Sequence, residues 1–363
     1  MPDPVPPQPG DLDMTGLAVT IGQARILHDV SIRLPSGSFT AIVGPSGSGK
    51  STLVRTIAGL QPLASGSIAL GGRMLSTAGV GGAPVPPERR RIGWVPQAPS
   101  LFPHLTVSQH VDFGAAGRRP RSRRDSESTA RLLDLVGIGD LARRYPDELS
   151  GGQAQRVALA RALASEPDAI LLDEPFSALD PRVRADLRDE IRALLLGVGV
   201  TTVLVTHDQD EALASADSVV VLAAGRVVQH ASPRTVYQWP ATPWVAAFIG
   251  EAVFLDADLV DGRGRTVLGE VAVDQAAGGG AADGSPMVMV RPEQIVIDPL
   301  GVEVTVTQVH YAGHDALVSL RVDGVPAAQP IRARFAAAQI PRVGERLRVS
   351  VAGPALVWAD PGA

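Results

Sequence analysis

Phe39-Thr40-Ala41-Ile42-Val43 runs straight into Gly44-Pro45-Ser46-Gly47-Ser48-Gly49-Lys50-Ser51-Thr52. Apolar residues then recur at helical spacing as Leu53, Val54, Ile57 and Ala58, predicting a helix from Ser51 to Leu60. A short, partly β-branched strand, a glycine loop and a helix in that order leave few architectures open. The loop fits G-x-x-x-x-G-K-[ST], in which bare backbone amides and the following helix N-terminus surround a nucleotide phosphate. Lys50 is the one lysine among 33 lysines and arginines. Its compact ammonium can lie along the loop to reach β- and γ-phosphates, where a planar guanidinium would not fit. Ser51 offers a hydroxyl to Mg²⁺.

Two further apolar runs, Ala169 to Leu172 and Thr202 to Val205, read as strands buried on both faces of a parallel sheet. Arg182 to Leu196 between them reads as a helix. Asp173 and Glu174 follow the first run directly. An aspartate there can hold Mg²⁺ through oxygen, and a glutamate one step on can orient and polarise an attacking water. Ser150, in Leu149-Ser150-Gly151-Gly152-Gln153, is a good N-cap for a helix through Arg156, Val157 and Leu163. Gly151 and Gly152 leave bare amides at that helix start. It reads as a second anion site, roughly 100 residues from the first along the chain, so that a nucleotide on one copy is closed over by another.

These motifs, in this order, resemble the ATP-binding-cassette (ABC) transporter ATPases, and the resemblance runs from about Leu17 to the C-terminus. Leu149 to Gln153 is similar to that family's signature sequence. Gln97, in Trp94-Val95-Pro96-Gln97, matches the glutamine that senses Mg²⁺ and the membrane partner. Ser177-Ala178-Leu179-Asp180 matches the loop that communicates across the dimer, through Asp180, and His207 matches the switch histidine near the γ-phosphate. The resemblance implies catalytic roles for Glu174, His207 and Lys50, Mg²⁺ at Ser51, Gln97 and Asp173, and a head-to-tail homodimer enclosing two ATP molecules. Polytopic permease subunits would be the direct membrane partners, and a substrate-binding protein an indirect one. Ile21 falls where the family stacks an aromatic residue on adenine, and isoleucine has no π face to offer.

The fold expected is α/β: a phosphate-loop ABC ATPase domain with a helical subdomain, followed by a small all-β, oligonucleotide-binding-like (OB-like) domain. Met1 to Gly10 holds five prolines, and residues 1–13 read as a disordered leader, not a signal peptide. Residues 14–250 read as the ATPase domain and 251–363 as the β-rich regulatory domain. Its strands are predicted at Val288 to Arg291, Val302 to Val309, Ala316 to Val322, Ile331 to Phe335 and Arg346 to Val351, with a loop at Ala276 to Ser285. No run approaches the roughly 18 apolar residues of a spanning helix. The expectation is a soluble chain, peripheral on the cytoplasmic face of the membrane and docked on another protein. The absence of cysteine excludes disulfides, thiolate metal sites and cysteine nucleophiles.

The net charge of −5 argues against a general nucleic-acid binder. From Val253 onward, 13 acidic residues face 9 arginines with few aromatics, which disfavours nucleic acid there too. Arg118 to Arg124 holds five arginines and reads as a solvated stretch of the helical subdomain, with contact to lipid headgroups or the membrane partner as the alternative. His310 and His314, in or beside short strands, do not read as a metal site. Arg144-Tyr145-Pro146, Phe248-Ile249-Gly250-Glu251 and Val290-Arg291-Pro292-Glu293-Gln294 resemble the ferric-iron importer ATPases most closely, and Gly353-Pro354-Ala355-Leu356 fits the same group. Polyamine, sulfate and sugar importers carry similar pieces and stay open as alternatives. The competing class, a soluble phosphate-loop kinase or GTPase, lacks a counterpart to Leu149 to Gln153.

Overall fold

A computed structural model describes residues 10–79, 84–115, 123–177, 180–276, 287–324 and 331–358. The chain divides into two compact units, Met1–Pro233 and Arg234–Ala363. The elements of the first are β1 (Leu12–Ile21), β2 (Ala24–Leu34), β3 (Phe39–Val43), α1 (Lys50–Ala58), β4 (Ser65–Leu70), β5 (Arg73–Thr77) and β6 (Ile92–Val95). They continue as α2 (Val107–Ala115), α3 (Arg123–Leu135), α4 (Gly151–Leu163), β7 (Ala169–Asp173), α5 (Pro181–Val198), β8 (Thr201–Val205), α6 (Gln209–Ser215), β9 (Ser218–Ala223) and β10 (Arg226–Ala231).

The central sheet has the order β10-β9-β3-β8-β7-β6, parallel except for the hairpin of β9 and β10. Every residue of β3, β7 and β8 is buried. The two-residue period of a strand explains why both faces are covered. Ala169, Leu171, Val203 and Val205 enter one core, which they share with α1 and the antiparallel sheet β2-β1-β4-β5. Ile170, Leu172 and Leu204 enter a second core, with α4 and α5. Helix α1 stops at Ala58, short of the Leu60 expected, because Gly59 takes a left-handed C-cap at φ 88°.

The leader expected through residue 13 ends earlier. Thr201 Oγ1 donates to the Gly10 carbonyl at 2.7 Å, Ser36 N donates to Asp11 Oδ1 at 2.7 Å, and β1 has begun at Leu12. Within the arginine-rich stretch, residues 116–122 lie outside the described residues, as do most of the 276–285 loop, Ala178 and Leu179.

The second unit opens with α7 (Pro233–Gln238) and α8 (Pro243–Ile249). Then come β11 (Val253–Asp256), β12 (Asp258–Val260), β13 (Arg263–Thr266), β14 (Gly269–Ala276), β15 (Met287–Val290), β16 (Ile295–Tyr311), β17 (Asp315–Val322), β18 (Ile331–Ala336), β19 (Arg346–Val351) and β20 (Ala355–Trp358). They form two sheets, β11-β15-β20-β14-β13-β12 and β18-β17-β16-β19, around one core. In β18 the buried Ile331, Ala333 and Phe335 alternate with exposed Arg332 and Arg334.

The division falls at Pro233, not at Gly250, and a buried side chain gives the reason. Arg291 Nη1 donates to the carbonyls of Ala246 at 2.9 Å and Glu251 at 3.0 Å, and Nη2 donates to that of Tyr237 at 2.7 Å. Its guanidinium also lies 4.1 Å over the Tyr237 ring. These bonds tie α7 and α8 to the β-rich unit.

Candidate nucleotide site

The phosphate loop leaves β3 and enters α1 at Lys50. A Cβ on Gly44 would lie 2.0 Å from the Leu222 carbonyl oxygen, so only glycine fits against β9. Gly49 sits at φ 103° and caps α1, a left-handed conformation that glycine adopts without strain. Lys50 is buried, and its Nζ donates to the carbonyls of Gly44 at 2.7 Å and Pro45 at 3.0 Å. Burial pushes the Lys50 ammonium below its ordinary pKa, while the carboxylates of Glu174 and Asp173 pull it back up. The buried Ser48 hydroxyl has no hydrogen-bond partner, which leaves a polar group in the loop for an incoming oxygen.

The carboxylates arrive from β7. Asp173 ends the strand, and burial together with Glu174 raises its pKa above the usual carboxylate range. Glu174 takes φ 46°, a left-handed conformation costing a non-glycine residue about 1–3 kcal/mol. Its amide donates to the Val205 carbonyl at 2.9 Å, which fixes the turn to the end of β8. Gln97 Nε2 donates to Glu174 Oε2 at 3.1 Å and to Ser177 Oγ at 3.3 Å. His207 Nδ1 lies 3.2 Å from the same Glu174 oxygen. The structure therefore brings Lys50, Gln97, Asp173, Glu174 and His207 together at the C-terminal ends of parallel strands, where open α/β sheets bind ligands.

Other expected residues stand elsewhere. Ser150 caps α4: its hydroxyl accepts from Gln153 N at 3.3 Å, and Gln153 Oε1 accepts from Ser150 N at 2.9 Å. Among the described residues no hydrogen bond or ion pair joins Leu149, Ser150, Gly151, Gly152 or Gln153 to the phosphate loop. Ile21 is 47% exposed at the end of β1. Asp180 accepts, through its carbonyl, from the amide of Arg184 at 2.9 Å. Among the described residues no group of three His, Cys, Asp or Glu gathers into a metal cage.

Several supporting residues escaped the sequence reading. Ser177 bridges Gln97 and the Glu174 carbonyl, and it stood unweighted inside the quoted Ser177–Asp180 motif. Arg161, on α4, donates to the carbonyls of Ser100 at 2.9 Å and Pro99 at 3.0 Å, anchoring the segment after Gln97 to the helix that Ser150 caps. Thr206 and Glu211 flank His207 and bond to each other. Their place directly before and just after His207 in the sequence was the available signal for that pair.

Comparison with known proteins places this geometry in a family. The family model described as ABC transporter matches residues 27–177, and that of the TOBE domain matches 288–358. The chain is 46% identical over 353 residues to the Fe(3+) ions import ATP-binding protein FbpC 1 of Rhodococcus jostii (strain RHA1), across 96% of this chain and 98% of that protein. The chain belongs to the ABC transporter family. A second relative, the Fe(3+) ions import ATP-binding protein FbpC of Pseudomonas fluorescens, is 43% identical over 361 residues, across 97% of this ABC protein and 99% of its own length. The solved structure of cbiO1 from Clostridium perfringens, described as part of the ABC transporter complex cbiONQ, gives a TM-score of 0.56 at 29% identity. That match covers 62% of this ABC ATPase and 89% of the other chain. The ABC transporter match spans the phosphate loop, Gln97, the start of α4 and the Asp173-Glu174 pair. The TOBE match falls on the OB-like β domain.

Proposed function

We propose that this ABC ATPase energises the import of ferric iron. It works as a homodimer on the cytoplasmic face of the cell membrane, docked on polytopic permease subunits that receive iron from a substrate-binding protein. The observation that carries the iron assignment is likeness over nearly the whole chain, at 46% and 43% identity, to proteins named for Fe(3+) import. Among the described residues no helix is long and apolar enough to cross a membrane, and the proposal assigns the translocation path to the partners.

In the proposed cycle ATP enters with its β-phosphate among the amides from Gly47 to Thr52, at the N-terminus of α1. Lys50 exchanges the carbonyls of Gly44 and Pro45 for β- and γ-phosphate oxygens. Ser51, Gln97 and Asp173 bring hydroxyl, amide and carboxylate oxygens, a hard-donor set suited to Mg²⁺. Mg²⁺ bound there would neutralise charge on the β- and γ-phosphates. Glu174 orients and polarises the water that attacks the γ-phosphorus, and His207, beside the Glu174 carboxylate, contacts the γ-phosphate. Leu149 to Gln153 of one copy close over the ATP held by the other, and Asp180 links the two sites. The β domain serves dimerisation and regulation.

The test is uptake of labelled ferric iron by iron-starved cells whose sole copy is either this chain or its Glu174→Gln form. The mutant is expected to lose iron uptake while sulfate and polyamine uptake persist. Unchanged iron uptake in the mutant would overturn the iron assignment and direct the same assay to polyamines, sulfate and sugars.

A further inference from the structure

His207 reaches Glu174, yet its side chain is 58% exposed. Packing therefore does little to aim the imidazole, and its direction depends on the backbone that carries it. That backbone is held from both sides by one hydroxyl. Thr206 Oγ1, buried, accepts from the amide of Asp208 at 3.0 Å and donates to Glu211 Oε2. The amide of Thr206 donates in turn to the Ile42 carbonyl of β3 at 3.2 Å. One turn of chain around His207 is thus pinned to the strand that feeds the phosphate loop.

Glu211 is an expensive residue for this task unless the bond matters. It lies in the first turn of α6 at 5% exposure, and its Oε1 has no hydrogen-bond partner. Burying a carboxylate with an unused acceptor costs stability. Burial drives its pKa up, against the Thr206 bond and the Arg184 and Arg188 charges. Helix α6 does not need the side chain for its start, because Asp208 caps it through Oδ1, which accepts from the Glu211 amide at 3.1 Å. Arg184 of α5 steadies that cap from the other side, 3.5 Å from Asp208 Oδ2. The Glu211 carboxylate is left with one bonded partner, the hydroxyl that braces His207.

We propose that Glu211 is a positioning residue for His207, acting through the Thr206 hydroxyl to hold the turn between β8 and α6. This rests on the reading of His207 as a participant in ATP hydrolysis. Among the described residues Glu211 has no hydrogen bond or ion pair to the phosphate loop or to Glu174, and the proposal gives it no chemistry of its own. A displaced catalytic group costs up to about 100-fold in rate. Glu211→Ala in the purified full chain should therefore lower kcat between about 10- and 100-fold, with KM for ATP nearly unchanged.

The deciding experiment is a double-mutant cycle on ATPase rates. Glu211→Ala should lower kcat in the wild-type background and have little further effect in His207→Ala. Glu211→Gln, whose amide oxygen can still accept from Thr206, should keep most of kcat. Thr206→Val should reproduce the loss, and it replaces Glu211→Ala in the cycle if that variant does not fold. Equal losses on both backgrounds would overturn the proposal and leave the His207 reading intact. A His207→Ala protein with wild-type kcat would overturn that reading and the positioning role with it.

Discussion

Arg90 is among the largest fully buried side chains and, among the described residues, has no carboxylate partner, which makes Arg90→Met a sharp perturbation. Its guanidinium donates to the carbonyls of Val85 at 2.8 Å, Ile57 at 2.8 Å and Thr56 at 3.2 Å, and to Ser76 Oγ at 2.6 Å. Thr56 and Ile57 belong to the last turn of α1; the Thr56 carbonyl also accepts from the Gly59 amide at 3.1 Å, whereas that of Ile57 lies beyond the helical hydrogen bonds and relies on Arg90. Each buried acceptor left bare costs about 1–3 kcal/mol. Removing a cation from a helix C-terminus costs up to about 2 kcal/mol more. Relief of the buried charge offsets part of this. The net expectation is a loss of about 3–5 kcal/mol from the first unit. Urea unfolding can follow Trp94 fluorescence, because Trp94 is the first unit's one tryptophan. Phenylalanine at positions 239, 244 and 358 removes the other signals in both reference and variant. Arg90→Lys, which keeps the charge but not the fork, should fall between. A change within about 0.5 kcal/mol, the range of neutral surface substitutions, would refute the idea that this cation holds the end of α1.

Three further outcomes are expected. Asp173 has its folded pKa raised, so the folded state binds more protons and the residue's contribution becomes unfavourable as pH rises from the ordinary carboxylate pKa through the folded one. Asp173→Asn should then raise the melting temperature at pH 7, lose that gain below the carboxylate range and abolish ATPase activity; a lower melting temperature at pH 7 would contradict the burial argument. Lys50→Ala should lose productive ATP binding in equilibrium dialysis, and retained affinity would refute its role at the phosphates. Ile21→Tyr should tighten ATP binding by about fivefold, since a stacked ring is worth about 1 kcal/mol; an unchanged affinity would place base recognition elsewhere.

The sequence made the elements buried on both faces legible, because a short apolar run bounded by breakers has few readings. Phe39–Val43, buried at every position, matches its strand residue for residue; Arg346–Val351, legible by its alternation and buried only at Val349, matches too. The strands β12 and β13 carried no such signal. Asp258–Val260 is exposed throughout, and Arg263–Thr266 buries only Gly264. They exist because β14 supplies a neighbour and pairs in parallel with β20 about 80 residues away, which local pattern does not encode. The boundary at Pro233 depends on Arg291 reaching back to Tyr237, again a long-range bond. The site divides in the same way. Lys50, Asp173 and Glu174 were legible because their residue types carry chemistry at motif spacing, and Gln97 and His207 only through the family resemblance. Ser177, Arg161 and Glu211 were not, because each matters for where it holds something else.

The groups at the ends of β3, β7 and β8 are held in states that cost free energy. Lys50 is desolvated, Asp173 is buried beside another carboxylate, Glu174 is left-handed and the Ser48 hydroxyl is unpartnered. Such states persist only where the surroundings over-determine them. The strands beneath are buried at every position and pinned by cross-strand bonds, including the Glu174 amide to Val205. The same rigidity sets what a ligand must do. A triphosphate would reward Lys50 and Ser48 but would add negative charge beside Asp173 and Glu174. The site is therefore balanced for a polyanion accompanied by a cation, and much less so for either alone. That requirement follows from the charges lining the strand ends and gives a physical reason for joining a phosphate loop to a buried aspartate across two parallel strands.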